Sequence, residues 1–325
     1  MGNDELGDIS SHFPEPGGFC HPDWLALFEL MKEHLNEKHW DDTWAELARR
    51  WLSRLRENLG GNYQCFETKN FLLVVDASRL VAVDIGKFAE NALKKIGELL
   101  IPAVQGEGPP HVILAFSSEA AYYEYISYFY EDGESPMSSG VYLSGEGYPH
   151  FAFPIQEYTS YRATIAHELT HACLSHLLLP VWLNEALAMR MEESMQVSFH
   201  SGINEEKIEK HFQFWNSKTI QTFWSGESWG LIGDSNDLSY SLATILWRKI
   251  EVDIGATREE IGKFVENSKR EDAGEASLRN VFEMRLEDLV ADFLGDGDWA
   301  PKPGEWKLDC PTEAKGSSSS SCVYF

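Results

Sequence analysis

The chain has 325 residues, and its composition is 43% hydrophobic and 13% aromatic, with a formal charge of −25 at pH 7. Such a composition supplies ample apolar side chains for a core, so most of the chain is expected to be globular. The negative charge disfavours nucleic acid and anionic membrane surfaces as partners, and no apolar run is long enough to span a bilayer.

The first 21 residues contain several Pro and Gly residues and are expected to form a flexible leader. They contain neither the basic region nor the apolar region of a signal peptide. The five cysteines are scattered and include no CxxC pair, which indicates reduced thiols rather than disulfides or a zinc cluster. We therefore expect a cytoplasmic protein.

The next part of the chain is predicted to alternate between helices and strands. Apolar side chains recur at helical spacing over residues 22 to 58, and the glycines of "LGG" end this pair of helices. The extension, residues 22 to 61, can cover a cleft, bind a partner or brace the following domain, and periodicity does not separate these roles. The sequence then predicts a strand in "NFLLVVDAS", a helix over 78 to 101, a strand in "PPHVILAFSS", a helix over 118 to 128 and two short strands within 138 to 155.

The C-terminal half is predicted to be helical. Helices are expected near 182 to 194, 204 to 224, 237 to 253, 257 to 268 and 275 to 294. Strands followed by helices favour an α+β fold of two lobes over residues 62 to 294, a small mixed sheet with helices and then a helical C-terminal lobe. Residues 295 to 325 lack apolar periodicity and are expected to be disordered. Their ending, "CVYF", has the outline of a prenylation signal, but Tyr324 is bulky and the preceding segment is not polybasic.

The sequence "HELTH" has the spacing of a metal site on a helix. His167 and His171 are four residues apart, so both side chains lie on one helical face and can bind one ion. Glu168 sits one position round the helix, where its carboxylate can flank a metal-bound water without binding the metal. That placement is typical of a general base.

A third ligand must come from another element if one coordination position is to stay open for water. Pro180 ends the first helix, and "LNEALA" opens a second one that carries Glu185. The intervening residues are just long enough for this second helix to return to the first. His176 points about 140° away from His171 around the helix, and Cys173 lies on the opposite side, so both are weaker candidates.

Asn184 leaves two interpretations open. Its side chain can hydrogen-bond near the metal, or it can cap the helix that contains Glu185. The sequence does not distinguish these roles.

The stretch "HELTH", followed by "LPVWLNEALA", resembles the gluzincin zinc metallopeptidases, in particular their small peptidase MA-like domains. The resemblance covers roughly residues 66 to 294 and implies a zincin-like fold with active helices over about 159 to 194. Two positions depart from the family pattern. Ala186 replaces the usual glycine, and Met189 stands where thermolysin-like enzymes carry an Asp that orients a ligating histidine.

The resemblance also implies an activity, zinc-dependent hydrolysis of peptide bonds in a peptide or protein substrate. Zinc would be held by His167, His171 and Glu185, and Glu168 would activate the zinc-bound water. Tyr240 is the candidate donor to the oxyanion, and residues 149 to 155, "PHFAFPI", occupy the place of an edge strand that pairs with the substrate. The alternative is a catalytically inactive, zinc-stabilised binding or regulatory protein of the same fold.

Overall fold

The computed structural model describes residues 6–104, 108–130, 139–144, 147–155, 160–195, 204–231, 233–306 and 323–324. The predicted start of the first active helix at residue 159 and the cysteines at 310 and 322 lie outside these ranges. Most of the predicted tail lies outside them too. None of the described helices is long and apolar enough to cross a membrane.

The fold is α+β, and its strands form one mixed sheet. The strands are β1 (Gln64–Glu67), β2 (Phe71–Val75), β3 (His111–Phe116), β4 (Val141–Leu143), β5 (His150–Pro154) and β6 (Val323–Tyr324). Their order in the sheet is β1-β2-β3-β5-β4-β6. Strands β2, β3 and β5 are mutually parallel, whereas β1, β4 and β6 each pair antiparallel to a neighbour. The predicted strands are thus present, and β1 and β6 are additions to them.

The position of β5 contradicts one prediction. Residues 149 to 155 were expected to form the edge strand, but β5 pairs with β3 on one side and with β4 on the other. All five of its residues are buried, as is usual for a strand with parallel pairing and both faces covered. An apolar run of this kind suits the interior of a sheet, and β4 lies outside it.

Twelve α-helices are present in the described part of the chain. They are α1 (Trp24–His34), α2 (Trp40–Leu59), α3 (Arg79–Leu99), α4 (Glu119–Ile126), α5 (Ser160–Leu174), α6 (Val181–Ser194), α7 (Glu205–Phe214), α8 (Thr219–Ser225), α9 (Asp234–Arg248), α10 (Arg258–Asn267), α11 (Glu275–Phe282) and α12 (Leu286–Leu294). A π-helical turn, Lys249–Asp253, extends α9. The chain forms two compact units, one containing the sheet with α1, α2 and α4, the other containing α6 to α12.

The N-terminal helices α1 and α2 brace the sheet. Leu27 of α1 and Trp51 of α2 belong to the same buried cluster as Leu72, Leu114 and Ala152 from three neighbouring strands. Side chains alternate across a strand, so these strand residues share one face of the sheet. Among the three roles that the sequence left open for residues 22 to 61, the packing supports bracing.

Two segments expected to be flexible are partly built into the structure. In the leader, Leu6, Ile9 and Phe13 are buried and belong to the cluster under α1 and α2. Beyond α12, the buried Trp299 accepts a hydrogen bond from the Trp224 indole at its carbonyl oxygen. The Gln221 amide donates to the carbonyl of Ala300. Large apolar side chains and paired backbone groups therefore fix residues 6 to 21 and 295 to 306.

Two predicted helices are interrupted. The helix expected over 204 to 224 breaks between α7 and α8, where the Asn216 side chain accepts hydrogen bonds from the backbone of Lys218 and Thr219. The helix expected over 275 to 294 breaks at Glu283, whose φ is 56°. Both breaks replace helical hydrogen bonds with local ones.

Candidate metal centre

Helix α5 is fixed at its N-terminal end by contacts with α3 and β5. The Tyr161 hydroxyl donates to the Asp84 carboxylate at 2.7 Å, and the Arg162 guanidinium donates to both oxygens of the same carboxylate at 2.7 and 2.8 Å. The Tyr161 ring also stacks on Phe153 with centroids 6.4 Å apart. These contacts orient the helix that carries "HELTH".

The corner between α5 and α6 is held by the segment before α11. The backbone N–H of Arg270 donates to the carbonyl of Leu178 at 3.1 Å. One residue into α6, the fully buried Trp182 donates its indole N–H to the carbonyl of Ala273 at 2.9 Å. The direction in which α6 leaves the corner is therefore determined by contacts on both sides of Pro180.

Ion pairs join the C-terminal half of α6 to α9 and its π-helical extension. Arg190 donates to both oxygens of Glu251 at 2.6 and 2.8 Å. Arg248 donates to Glu193 at 2.6 Å. Glu251 lies within the π-helical turn itself. These bonds add to the apolar packing that holds α6 in place.

The structure brings the three predicted ligands together. One ligand atom from each of His167, His171 and Glu185 lies within 4.8 Å of the other two. The Nε2 atom of His171 is 3.7 Å from Oε1 of Glu185, and their side chains are 2% and 1% exposed. His167 is half-buried. The spacing predicted from the sequence therefore corresponds to a convergent group of donors.

The donor set fits a zinc ion. Ligand bonds of about 2.0 to 2.1 Å in a tetrahedron place neighbouring ligand atoms about 3.3 Å apart, close to the separation between His171 and Glu185. A carboxylate as buried as Glu185 is costly in an apolar helix unless a cation or hydrogen bonds compensate its charge. Two imidazoles and one carboxylate leave the fourth position of the tetrahedron for water or substrate.

Glu168 keeps partial access to solvent beside this group. It is half-buried and directly follows His167. Burial raises the pKa of the Tyr130 hydroxyl, and the negative charge of Glu168 raises it further. Tyr130 is therefore a neighbour of Glu168 that the sequence analysis missed. The two residues are 38 positions apart in the chain, and helical or strand periodicity carries no information on such an interaction.

Tyr240 lies in the first half of α9 and is half-buried. Its ring packs edge-on against Trp229 with centroids 6.3 Å apart. Its backbone carbonyl accepts a hydrogen bond from the Thr244 hydroxyl. The same hydroxyl lies 3.4 Å from the sulfur of Met189. These contacts describe the packing of Tyr240, and its role as oxyanion donor stays a prediction.

Other histidine and cysteine side chains are not part of this group. His176 is exposed. Cys173 is buried, and this burial raises the pKa of its thiol to about 12. His211 is buried between the Ser241 hydroxyl at 3.0 Å and the indole N–H of Trp215 at 2.9 Å. Burial lowers its pKa to about 4. Within the described ranges, the group of His167, His171 and Glu185 is the one arrangement of this kind.

Asn184 does not cap α6. The N-cap position is Pro180, and no side chain caps the helix there. Asn184 is the fourth residue of α6, and its backbone N–H already donates to the Pro180 carbonyl at 3.0 Å. Its side-chain oxygen is buried and receives no hydrogen bond from the residues that the structure describes.

Comparisons with known protein-family models and with curated proteins find no match to this chain. The resemblance to gluzincins therefore rests on "HELTH" and "LPVWLNEALA".

Proposed function

We propose that this protein is a zinc-dependent metallopeptidase of the gluzincin type with a zincin-like fold. The observation that carries the proposal is the convergence of His167, His171 and Glu185, with the carboxylate of Glu168 next in the chain to one of these ligands. A structural zinc site usually fills four positions with protein ligands. Three ligands and an adjacent, partly exposed carboxylate favour catalysis over a purely structural role.

The chemistry divides between the metal and the protein. Zinc held by the three ligands would lower the pKa of a bound water to about 7 and polarise the scissile carbonyl. Glu168 takes the proton from the attacking water and delivers it to the leaving amine. Tyr240 donates a hydrogen bond to the developing oxyanion. His171 and Glu185, both buried, hold the geometry in which Glu168 acts.

The proposal extends to substrate class and location. The substrate is a peptide or protein, and nucleic acid and membrane are not partners. Cys20 and Cys173 are buried free thiols and Cys65 is an exposed free thiol, which fits the reducing environment of the cytoplasm.

The decisive experiment compares the wild type with Glu168→Gln. Both proteins are purified without chelator, their zinc content is measured, and both are incubated with a peptide library that is read by mass spectrometry. We expect one zinc per chain in both, and a rate of cleavage lower by about 10²- to 10⁴-fold in the variant.

Two results would contradict the proposal. Full activity of Glu168→Gln on a cleaved peptide would exclude Glu168 as the general base. A wild type that holds zinc and cleaves no peptide would favour the inactive binding or regulatory protein instead.

A further inference from the structure

Strand β6 occupies the outer edge of the sheet beside β4. Val323 lies opposite Leu143, and Tyr324 lies opposite Tyr142, in an antiparallel pair. This direction carries the chain of β6 toward the end of β4 that follows Gly140. The strand has only two residues, so few backbone hydrogen bonds hold it at this edge.

Strand β4 is fixed by contacts that do not involve β6. All three of its residues pair with β5. Val141 and Leu143 belong to the buried cluster under α1 and α2. On the opposite face, the Tyr142 ring lies 5.2 Å from the Phe151 ring, centroid to centroid. Release of β6 would therefore leave β4 in place with an unpaired backbone edge, which is a template for an extended peptide.

The outer edge of β4 leads toward one particular face of α5. Gly140 lies so close to α5 that a Cβ atom at this position would clash with the Thr164 side chain. Only glycine permits such a close approach. Thr164 is three positions before His167 and shares a helical face with it. A segment that pairs with β4 in the direction of β6 is therefore directed toward the side of α5 that carries a proposed metal ligand.

We propose that β6 is an intramolecular competitor of the peptide substrate, which has to displace it from the edge of β4. The inference rests on the proposed peptidase function and adds a means of regulation to it. Because β6 and β4 belong to one chain, β6 binds at a high effective concentration despite its short length. A peptide that pairs along all of β4 forms more hydrogen bonds and can take its place. The apparent affinity for substrate then falls in proportion to the fraction of molecules with an open edge.

The test opens the edge in the full chain. One variant carries both Val323→Pro and Tyr324→Pro, which remove the backbone N–H donors of β6. The matched control carries Ser318→Pro and Ser319→Pro, which add the same two prolines before β6. Zinc content, kcat and KM for a cleaved peptide are measured on the wild type and both variants, together with hydrogen exchange of the β4 amides.

We expect the variant with prolines in β6 to keep one zinc per chain and the kcat of the wild type, while KM falls about 3- to 10-fold. Such a fall corresponds to an edge that is closed in about 70 to 90% of wild-type molecules. Hydrogen exchange at the outer edge of β4 should become faster by a similar factor. The control should match the wild type in every measurement.

An unchanged or higher KM together with faster exchange in β4 would overturn the inference, since β6 would then only cover the edge. Unchanged exchange and unchanged KM would overturn it as well, because β6 would then not pair with β4 in solution. Both results leave the peptidase proposal intact. Absence of cleavage in all three zinc-bound proteins would overturn the peptidase proposal and this inference together.

Discussion

Two regions of the molecule bury ionisable groups, and they do so in different ways. Under the N-terminal helices, His150 is 4% exposed, and both ring nitrogens lie 2.8 Å from an oxygen, the Tyr125 hydroxyl and the Tyr148 carbonyl. In the second region, His167 and His171 of α5 and Glu185 of α6 each place one ligand atom within 4.8 Å of the other two. The first region satisfies a neutral imidazole within the fold. The second gathers donors at the spacing of a metal ion and therefore indicates an external ligand.

The largest effect that distinguishes these regions is expected at Glu185. Glu185→Ala should reduce zinc from one per chain to a small fraction, because two histidines alone bind the ion more weakly. Elemental mass spectrometry of protein purified without chelator measures the content. The matched control is Glu193→Ala, which removes an acid of the same helix that is ion-paired to Arg248. Equal zinc in both variants would exclude Glu185 as a ligand.

The neutral histidine of the first region predicts a dependence of stability on pH. Burial lowers the pKa of His150 from 6.5 to about 4. Above pH 6.5 its contribution to stability is fully present. As the pH falls toward 4, the unfolded chain binds the proton first and stability is lost, by roughly 3 kcal/mol for this residue. His21 and His111 have similarly lowered pKa values and act in the same direction.

The variant His150→Gln isolates this contribution, because a carboxamide can replace both hydrogen bonds without titrating. Urea unfolding from pH 7 to 4.5, with chelator present throughout, should show a shallower loss of stability than in the wild type. The exposed His39, replaced by Gln, serves as the control. Identical pH profiles for all three proteins would refute the assignment.

The smallest expected effect concerns the ion pairs that hold α6. Arg190 and Glu251 are 29% and 25% exposed in their side chains, so solvent weakens their attraction. Arg190→Met should cost about 1 kcal/mol. Lys263→Met breaks a pair with Glu259 on an exposed helical face and should cost less than about 0.5 kcal/mol. Equal values from thermal unfolding would indicate that the bond between Arg190 and Glu251 adds nothing beyond a surface pair.

Much of the fold follows from local patterns in the sequence. The apolar runs that become β2 and β3 contain only residues suited to buried strands. The spacing of the two histidines predicts the first helix of the candidate site. Pro180 predicts its end, and the apolar segment around Glu185 predicts the second helix. The convergence of His167, His171 and Glu185 follows from helical spacing and one short corner. These features depend on residues close together in the chain, so periodicity is sufficient to predict them.

The remaining features depend on contacts between distant residues. Strand β1 is short and largely exposed, and its sequence lacks the alternation of apolar and polar residues that predicts a strand. Only its pairing with β2 identifies it as a strand. The interior place of β5 follows from sheet order, which no local pattern contains. The charge of Glu168 acts on Tyr130, and the Trp224 indole donates to the Trp299 carbonyl, only because separate segments meet in the folded chain.

The corner between α5 and α6, residues 175 to 180, sets a constraint on how this protein can change. One inserted residue would turn α6 by about 100° relative to the histidines and carry Glu185 away from them. The contacts at Leu178 and Trp182 prevent the corner from absorbing such an insertion. Substitutions that exchange one donor atom for another keep this geometry intact. If the proposed metal site is correct, its metal preference can therefore evolve, or be engineered, by replacing side chains, whereas the length of the corner has to stay fixed.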